Sequence, residues 1–99
     1  MYIWLVLCGF SCYIFLVDVI VEFHEAAFRH GISKEDIIHA LNHIRQDAWI
    51  NELPEKWAVV GHNRAGNLIE IIYTEIDDNS ICVYHAMNAR DSFIKKYGL

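Results

Sequence analysis

Proline and glycine are scarce in this chain, which has one Pro and five Gly among its 99 residues. This scarcity excludes collagen-like repeats and Pro/Gly-rich linkers. Hydrophobic residues make up 55% of the chain, and a sequence this apolar can bury a core, which excludes intrinsic disorder. At this length the core belongs to one small domain.

Cysteine and basic charge are scarce as well. Cys8, Cys12 and Cys82 are odd in number and form no CxxC pair, so we expect no disulfide scaffold and favour a reduced cytosolic or a membrane setting. The net charge of −5 excludes the basic overall composition typical of nucleic-acid-binding proteins. The sequence also has no GxGxxG, Walker, GxSxG or HExxH motif to indicate a nucleotide, hydrolase or zinc site.

The first part of the chain lacks charge, because residues 2–17 contain no Asp, Glu, Lys, Arg or His. We divide the chain into a hydrophobic N-terminal segment, residues 1–20, and an α+β domain, residues 21–99. Three interpretations of the segment stay open. It is a membrane anchor, or an extra buried strand or helix of the domain, or the start has been assigned too early and the true start lies near Val17 or Val19. The first predicts a membrane-anchored protein, and the other two predict a cytoplasmic one.

Two helices are predicted next. Residues 22–30 suit a short helix ended by Gly31. Ser33 is a good N-cap for a second helix over residues 34–44. The apolar residues of this helix form one stripe, which predicts a buried face: Ile37, Ile38, Leu41 and Ile44.

Three strands follow a connector at residues 45–56. Apolar alternation and turn residues predict strands at 57–63, 67–76 and 80–87, and residues 88–99 suit a short helix. The predicted fold class is therefore α+β, with two N-terminal helices packed on a three- or four-stranded antiparallel sheet and a short C-terminal helix. The helices are expected on the face that bears Val59, Ile71 and Tyr84.

The opposite face of the predicted sheet collects ionisable side chains. Alternation places His62, Glu70 and His85 there, and Arg64 and Arg90 flank them at a turn and after the last strand. Imidazole transfers protons near neutral pH, and arginine holds a phosphate. These residue types suit RNA cleavage by the 2′-hydroxyl, while a solvated polar face is the simpler alternative.

A metal site is not predicted. His39 and His43 are four residues apart on the second helix, with Glu35 one turn earlier. No third ligand follows from the sequence, so we interpret the pair as a polar helix face. No cofactor is predicted either.

Three segments together resemble a known family: RHGISKEDIIHALNH, VVGHNRAGNLIEIIYTEI and ICVYHAMNAR. Their order and spacing over residues 21–99 are similar to those of BrnT-type toxins, relatives within the RelE/ParE superfamily of bacterial toxin–antitoxin pairs. The resemblance implies a RelE/ParE-like fold and an endoribonuclease, ribosome-dependent or free. It also implies two partners, an RNA substrate and a cognate antitoxin protein.

The matching positions assign roles by resemblance. The final-strand motif matches at His85 and Arg90, where the family has an arginine at the position of Met87. The basic C-terminal helix of the family is reduced to Lys95 and Lys96, which the resemblance makes RNA-binding. The candidate catalytic residues are His85, Arg90, His62, Arg64 and Glu70. The alternative is a non-catalytic interaction domain of the same fold, held at a membrane by its N-terminal segment.

Overall fold

The computed structural model describes residues 5–7 and 11–15 by their backbone alone and residues 19–50 and 55–99 in full. The described residues form one seven-stranded sheet and two α-helices. The strands are β1 (Leu5–Leu7), β2 (Ser11–Phe15), β3 (Val19–Phe23), β4 (Ile44–Ile50), β5 (Lys56–His62), β6 (Leu68–Asp77) and β7 (Ser80–Asn88), and the helices are α1 (Lys34–Leu41) and α2 (Asp91–Tyr97).

The sheet is built around an antiparallel meander. Strands β5, β6 and β7 pair in sequence order, which confirms the three predicted strands and their two turns. Strand β4 extends the meander beside β5. On the other side β3 runs parallel to β7, and β2 and β1 continue the sheet as antiparallel neighbours. The strand order is β1-β2-β3-β7-β6-β5-β4.

The expected arrangement of two N-terminal helices on a three- or four-stranded antiparallel sheet is wrong. The first predicted helix is replaced by the end of β3 and a single 3₁₀ turn at Glu25–Phe28, since the β-branched residues 19–21, just before the predicted helix, favour a strand that continues to Phe23. Much of the predicted connector is β4, which pairs with β5. The sheet is mixed because β3 and β7 are parallel, and only α1 precedes the meander among the described helices.

Helix α1 covers one face of the sheet. Ser33 caps it as predicted, because its side chain accepts a hydrogen bond from the Asp36 amide. The predicted stripe is wrong at Ile44, which is 40% exposed and belongs to β4, because α1 ends at Leu41. It is confirmed at Ile37 and Leu41, which are buried. They pack in the larger core with residues of β3, β5, β6 and β7: Val21, Phe23, Val59, Ile69, Ile71, Ile81, Val83 and Ala86.

The predicted core face is correct at Val59 and Ile71 and wrong at Tyr84. Both aliphatic side chains are fully buried, whereas Tyr84 is 38% exposed. A β-bulge causes the difference: Ile72 pairs with His85 and Tyr73 pairs with Val83, so Tyr84 is an extra residue in β7. The alternation shifts by one residue there, and Val83 takes the core position.

Helix α2 covers the opposite face, which the sequence indicated as mixed. Phe93 is buried against Ala58 and Val60 of β5 and Ile50 of β4. The helix ends at Gly98, whose φ of 68° provides a left-handed cap. The ionisable face of the predicted sheet is therefore half covered by a helix, and its charged residues require partners.

Part of the hydrophobic N-terminal segment belongs to the sheet. Strands β1 and β2 lie within residues 2–17, and β2 pairs with β3. Among the residues that the structure describes, none of the helices has the length and apolar content to span a membrane. Cys8 and the alternative start at Val17 lie outside the described residues.

Gly61 is a point of close approach between β5 and the end of α1. A Cβ atom at this position would overlap the carbonyl oxygen of Ala40 and lie 3.1 Å from that of His43. We expect Gly61→Ala to lower the free energy of unfolding by about 3 kcal/mol, measured by urea denaturation. Gly66→Ala is the control, because a Cβ there meets no atom within 4 Å; its cost of about 1 kcal/mol comes from the positive φ. Equal losses in both variants would contradict the close approach.

Candidate functional site

A buried carboxylate, that of Glu70, is at the centre of the ionisable cluster. Its side chain is 0% exposed and accepts four hydrogen bonds. His85 Nε2 lies 2.7 Å from Oε2, and Arg90 Nη2 donates to the same oxygen at 2.7 Å. The backbone N and Nε of Arg90 donate to Oε1 at 2.9 and 3.1 Å. A buried charge is tolerated when it is paired and hydrogen-bonded in this way.

Three elements position these side chains. Glu70 alternates with the buried Ile69 and Ile71 in β6, so it faces α2 rather than the larger core. His85 comes to the same face from β7, where it pairs with Ile72, two residues beyond Glu70. Arg90 is the N-cap residue of α2 and has an extended backbone, which directs its amide and its guanidinium back to the carboxylate.

The electrostatics of the cluster favour ionised Glu70 and Arg90. Burial by itself raises the pKa of Glu70, but the hydrogen bonds from Arg90 and His85 outweigh it and lower the pKa below its usual value. The hydrogen bond to Glu70 raises the pKa of Arg90. Arg90 has five N–H donors in its side chain and uses two on Glu70, so three remain. Its side chain is 51% exposed, which leaves these donors accessible to a ligand.

The hydrogen bond to Glu70 indicates which ring nitrogen of His85 carries a hydrogen. A carboxylate only accepts hydrogen bonds, so Nε2 of His85 carries a hydrogen and donates it. In the neutral imidazole, Nδ1 then has a free lone pair, and within the described part of the chain no hydrogen bond occupies it. A histidine oriented by a buried carboxylate with its second nitrogen unoccupied is the arrangement of a general base.

His85 lies between two adjoining clefts. One, of about 280 Å³, is lined by polar and aromatic residues of α2 and its N-cap: Arg90, Ser92, Phe93, Lys96 and Tyr97, together with Ile72 and His85. The other, of about 350 Å³, is lined by Lys56, Ile72, Tyr84 and His85. Because both clefts share Ile72 and His85, we call them together the His85 groove.

The structure brings together four of the seven residues that the sequence assigned to the site. Glu70, His85 and Arg90 are in direct contact, and Lys96 lines the same groove. Lys95 is exposed on α2 and does not line this cleft. The remaining two residues, His62 and Arg64, lie elsewhere.

His62 is separated from His85 along the sheet. It pairs with Leu68, whereas His85 pairs with Ile72. The two histidines therefore lie on the two strands that flank β6, and their partners in β6 are four residues apart. Strand spacing and rise then separate them by roughly 16 Å. The carbonyl of His62 instead contacts Nδ1 of His39 at 2.7 Å. The sequence placed the two histidines on the correct face, but the predicted grouping did not allow for their offset along β6.

Arg64 pairs with α1 rather than with the cluster. Its Nε donates to Oδ1 of Asp36 at 2.9 Å, and its amide donates to the same oxygen. The hydrogen bond from the Arg64 side chain lowers the pKa of Asp36. This contact holds the β5–β6 turn against the first turn of α1, on the face opposite to α2.

Sequence reasoning missed three aromatic or imidazole neighbours of the cluster. The ring of His30 lies 5.5 Å from that of His85, edge to face, and the ring of Phe93 stacks with that of His85 at 6.2 Å. Tyr84 precedes His85 at the bulge and lines the groove. His30 follows the 3₁₀ turn, and no local pattern indicates that this turn lies against β7.

The described residues contain no group of three or more metal-ligating side chains. His39 and His43 stack with their ring centroids 4.0 Å apart. Their Nδ1 atoms contact the carbonyls of His62 and His39, respectively. The pair thus makes local contacts at the end of α1.

Glu70 makes stability depend on pH in a defined direction. Its pKa is lowered from 4.5 by folding, so its contribution is present above that value and is lost as the pH falls through its folded pKa. We expect Glu70→Gln to lower the free energy of unfolding by about 1.5–3 kcal/mol at neutral pH. Below pH 4.5 the variant should lose less stability with falling pH than the parent does. Urea denaturation between pH 7 and 3 measures both effects. Glu75→Gln, an exposed carboxylate of the same strand, is the control. Parallel pH curves for the parent and Glu70→Gln would contradict the assignment.

Comparison with known proteins adds no relative: no family model, no curated protein and no solved structure matches this chain. The arrangement of Glu70, His85 and Arg90 beside the groove is therefore the basis for a functional assignment.

Proposed function

We propose that the chain is the toxin of a bacterial toxin–antitoxin pair and acts as an endoribonuclease in the His85 groove. The observation that carries the proposal is His85, which is hydrogen-bonded to the buried Glu70 through Nε2 and whose Nδ1 has no hydrogen-bond partner among the residues that the structure describes. Arg90 lies beside it and has N–H groups that do not donate to Glu70. The resemblance of residues 21–99 to BrnT-type toxins supports the RNA substrate and the antitoxin partner.

The reaction follows from the protonation of His85. Nδ1 accepts the proton of an RNA 2′-hydroxyl, and the resulting oxygen attacks the adjacent phosphorus. The bond to the 5′ oxygen breaks, that oxygen takes up a proton from solvent, and a 2′,3′-cyclic phosphate remains. The negative charge of Glu70 stabilises the imidazolium that forms, and it does so without contacting the substrate.

The cations of the groove offset the charge of the phosphate. Arg90 is held rigidly by Glu70, so its remaining N–H groups are oriented before substrate binds. Lys96 lines the same cleft, where a phosphate between the two would be bound from two sides. The last 15 residues carry Arg90, Lys95 and Lys96 against Asp91, a balance of +2, although the chain as a whole carries −5.

The second candidate function is a non-catalytic interaction domain. It is favoured by one observation: Glu70 already neutralises Arg90, and Met87 stands where the resembled family has a further arginine. Met87 pairs with Glu70 across β6 and β7, so an arginine there would add a cation close to the cluster. The two candidates differ in whether the chain cleaves RNA.

The ribonuclease proposal predicts a specific loss in His85→Gln. The amide of glutamine keeps a donor for Glu70 but cannot accept a proton, so the rate of RNA cleavage should fall about 10²–10⁴-fold with little change in stability. Cleavage of a labelled RNA and growth arrest on expression measure the effect. His62→Ala is the matched control, since His62 is a half-buried histidine of the same sheet face outside the groove.

Arg90 requires a more conservative substitution, because removing its side chain would also leave the buried carboxylate of Glu70 poorly paired. Arg90→Lys keeps the charge but loses the two-point contact, and we expect slower cleavage in a protein that still folds.

Parent-like cleavage by His85→Gln would place the active surface elsewhere. A folded parent that cleaves no RNA and arrests no growth would favour the interaction domain.

A further inference from the structure

The β-bulge places an aromatic side chain beside the proposed catalytic histidine. Tyr84 is the extra residue of β7, and it lines the same cleft as His85 although the two are adjacent in sequence. Regular alternation would direct Tyr84 into the core on the opposite face. Bulges often re-aim side chains next to functional sites, and here the bulge exposes a large ring at the groove.

The two parts of the His85 groove differ in chemistry. The part next to α2 contains the cations Arg90 and Lys96. The part next to Tyr84 is lined by Lys56, Ile72, Tyr84 and His85, and most of its exposed lining is apolar. A ligand that occupies both parts must carry an anionic group and, beside it, a flat apolar one, with His85 between the two. A nucleotide has this construction, since its phosphate and base are joined through the ribose that bears the 2′-hydroxyl.

We propose that the apolar part of the groove is a nucleobase subsite, in which an unpaired base of the RNA stacks on Tyr84 while its neighbouring phosphate lies at Arg90 and Lys96. This inference rests on the proposed function and names its substrate class as single-stranded RNA. A paired base is covered by its neighbours in the helix, so only an unstacked base can present its face to the ring. Stacking on tyrosine is tolerant of sequence, because every base has a π-face.

The surroundings of Tyr84 suit a ring on which a base stacks. Its ring lies 5.3 Å from that of His24, inclined by 35°, so the ring packs against the residue that caps the 3₁₀ turn. The side chain nevertheless stays 38% exposed. The ring is thus positioned by the protein, and a substantial part of its surface is available for a ligand.

Binding of an uncleavable oligonucleotide tests the subsite separately from catalysis. We would measure the affinity of the full chain for a fluorescent single-stranded 2′-fluoro RNA, which lacks the nucleophilic hydroxyl. Tyr84→Ala should weaken binding about 5- to 150-fold, and Tyr84→Phe, which keeps the ring, should bind like the parent. Trp49→Ala is the control, because Trp49 is an exposed aromatic residue on β4 outside the groove. Urea denaturation verifies that each variant is folded.

An abasic scan of the same oligonucleotide identifies the stacked base. One abasic position should weaken binding by the parent to the extent that Tyr84→Ala does, and should have no further effect in that variant. A duplex of the same sequence should compete poorly. Unchanged affinity of Tyr84→Ala, or equal competition by the duplex, would overturn the subsite.

The subsite and the proposed reaction can fail separately. If the parent cleaves RNA while Tyr84→Ala binds and cleaves equally well, the ribonuclease proposal stands and the base subsite is wrong. If the parent binds single strands in a Tyr84-dependent way but cleaves no RNA, the subsite stands and the catalytic proposal is wrong. Absence of binding to any of these oligonucleotides by the folded parent would overturn both.

Discussion

The buried carboxylate of Glu70 is the constraint on which this face of the molecule depends. It joins β6, β7 and the N-cap residue of α2 through four hydrogen bonds. The helix that covers this face is only seven residues long, too short to be stable by itself. Its position depends on Phe93 in the smaller core and on the contact between Arg90 and Glu70. An apolar residue in place of Glu70 could fill the same space, but it would provide neither the direction of α2 nor the orientation of His85.

The same contact links stability to the proposed chemistry. Glu70 holds His85 in one tautomer and Arg90 in one conformation, so the two groups that would meet a phosphate are arranged before it arrives. The cost is that much of the charge of Arg90 is balanced within the protein. A site of this kind depends on the remaining donors of Arg90, on Lys96 and on the apolar part of the groove for binding, rather than on a strongly basic surface. This is compatible with an acidic chain.

The local signals of the sequence predicted the parts of the fold that depend on neighbouring residues. The meander followed from alternation and from turns such as that at residues 64–66, and Ser33 marked the start of α1. Pairing over long distances left no such signal, so the parallel contact of β3 with β7 was missed. Two of the missed features concern the site itself. The bulge at Tyr84 shifts the alternation by one residue, and the offset of His62 from His85 depends on strand register, which the correct choice of faces does not provide.

The parallel pairing of β3 with β7 also determines the order in which the protein can be completed during synthesis. Ile20 pairs with Ser80, 60 residues later in the chain, so β3 has no partner on that side until most of the chain has been made. At ordinary translation rates this interval is roughly 3–12 s. During this interval the uncharged residues 2–17 have been synthesised, but the rest of the sheet has not. Contacts of such high sequence separation also form slowly. The N-terminal strands are therefore the part of the nascent chain most in need of protection from aggregation, and the groove is assembled only after α2 has been synthesised.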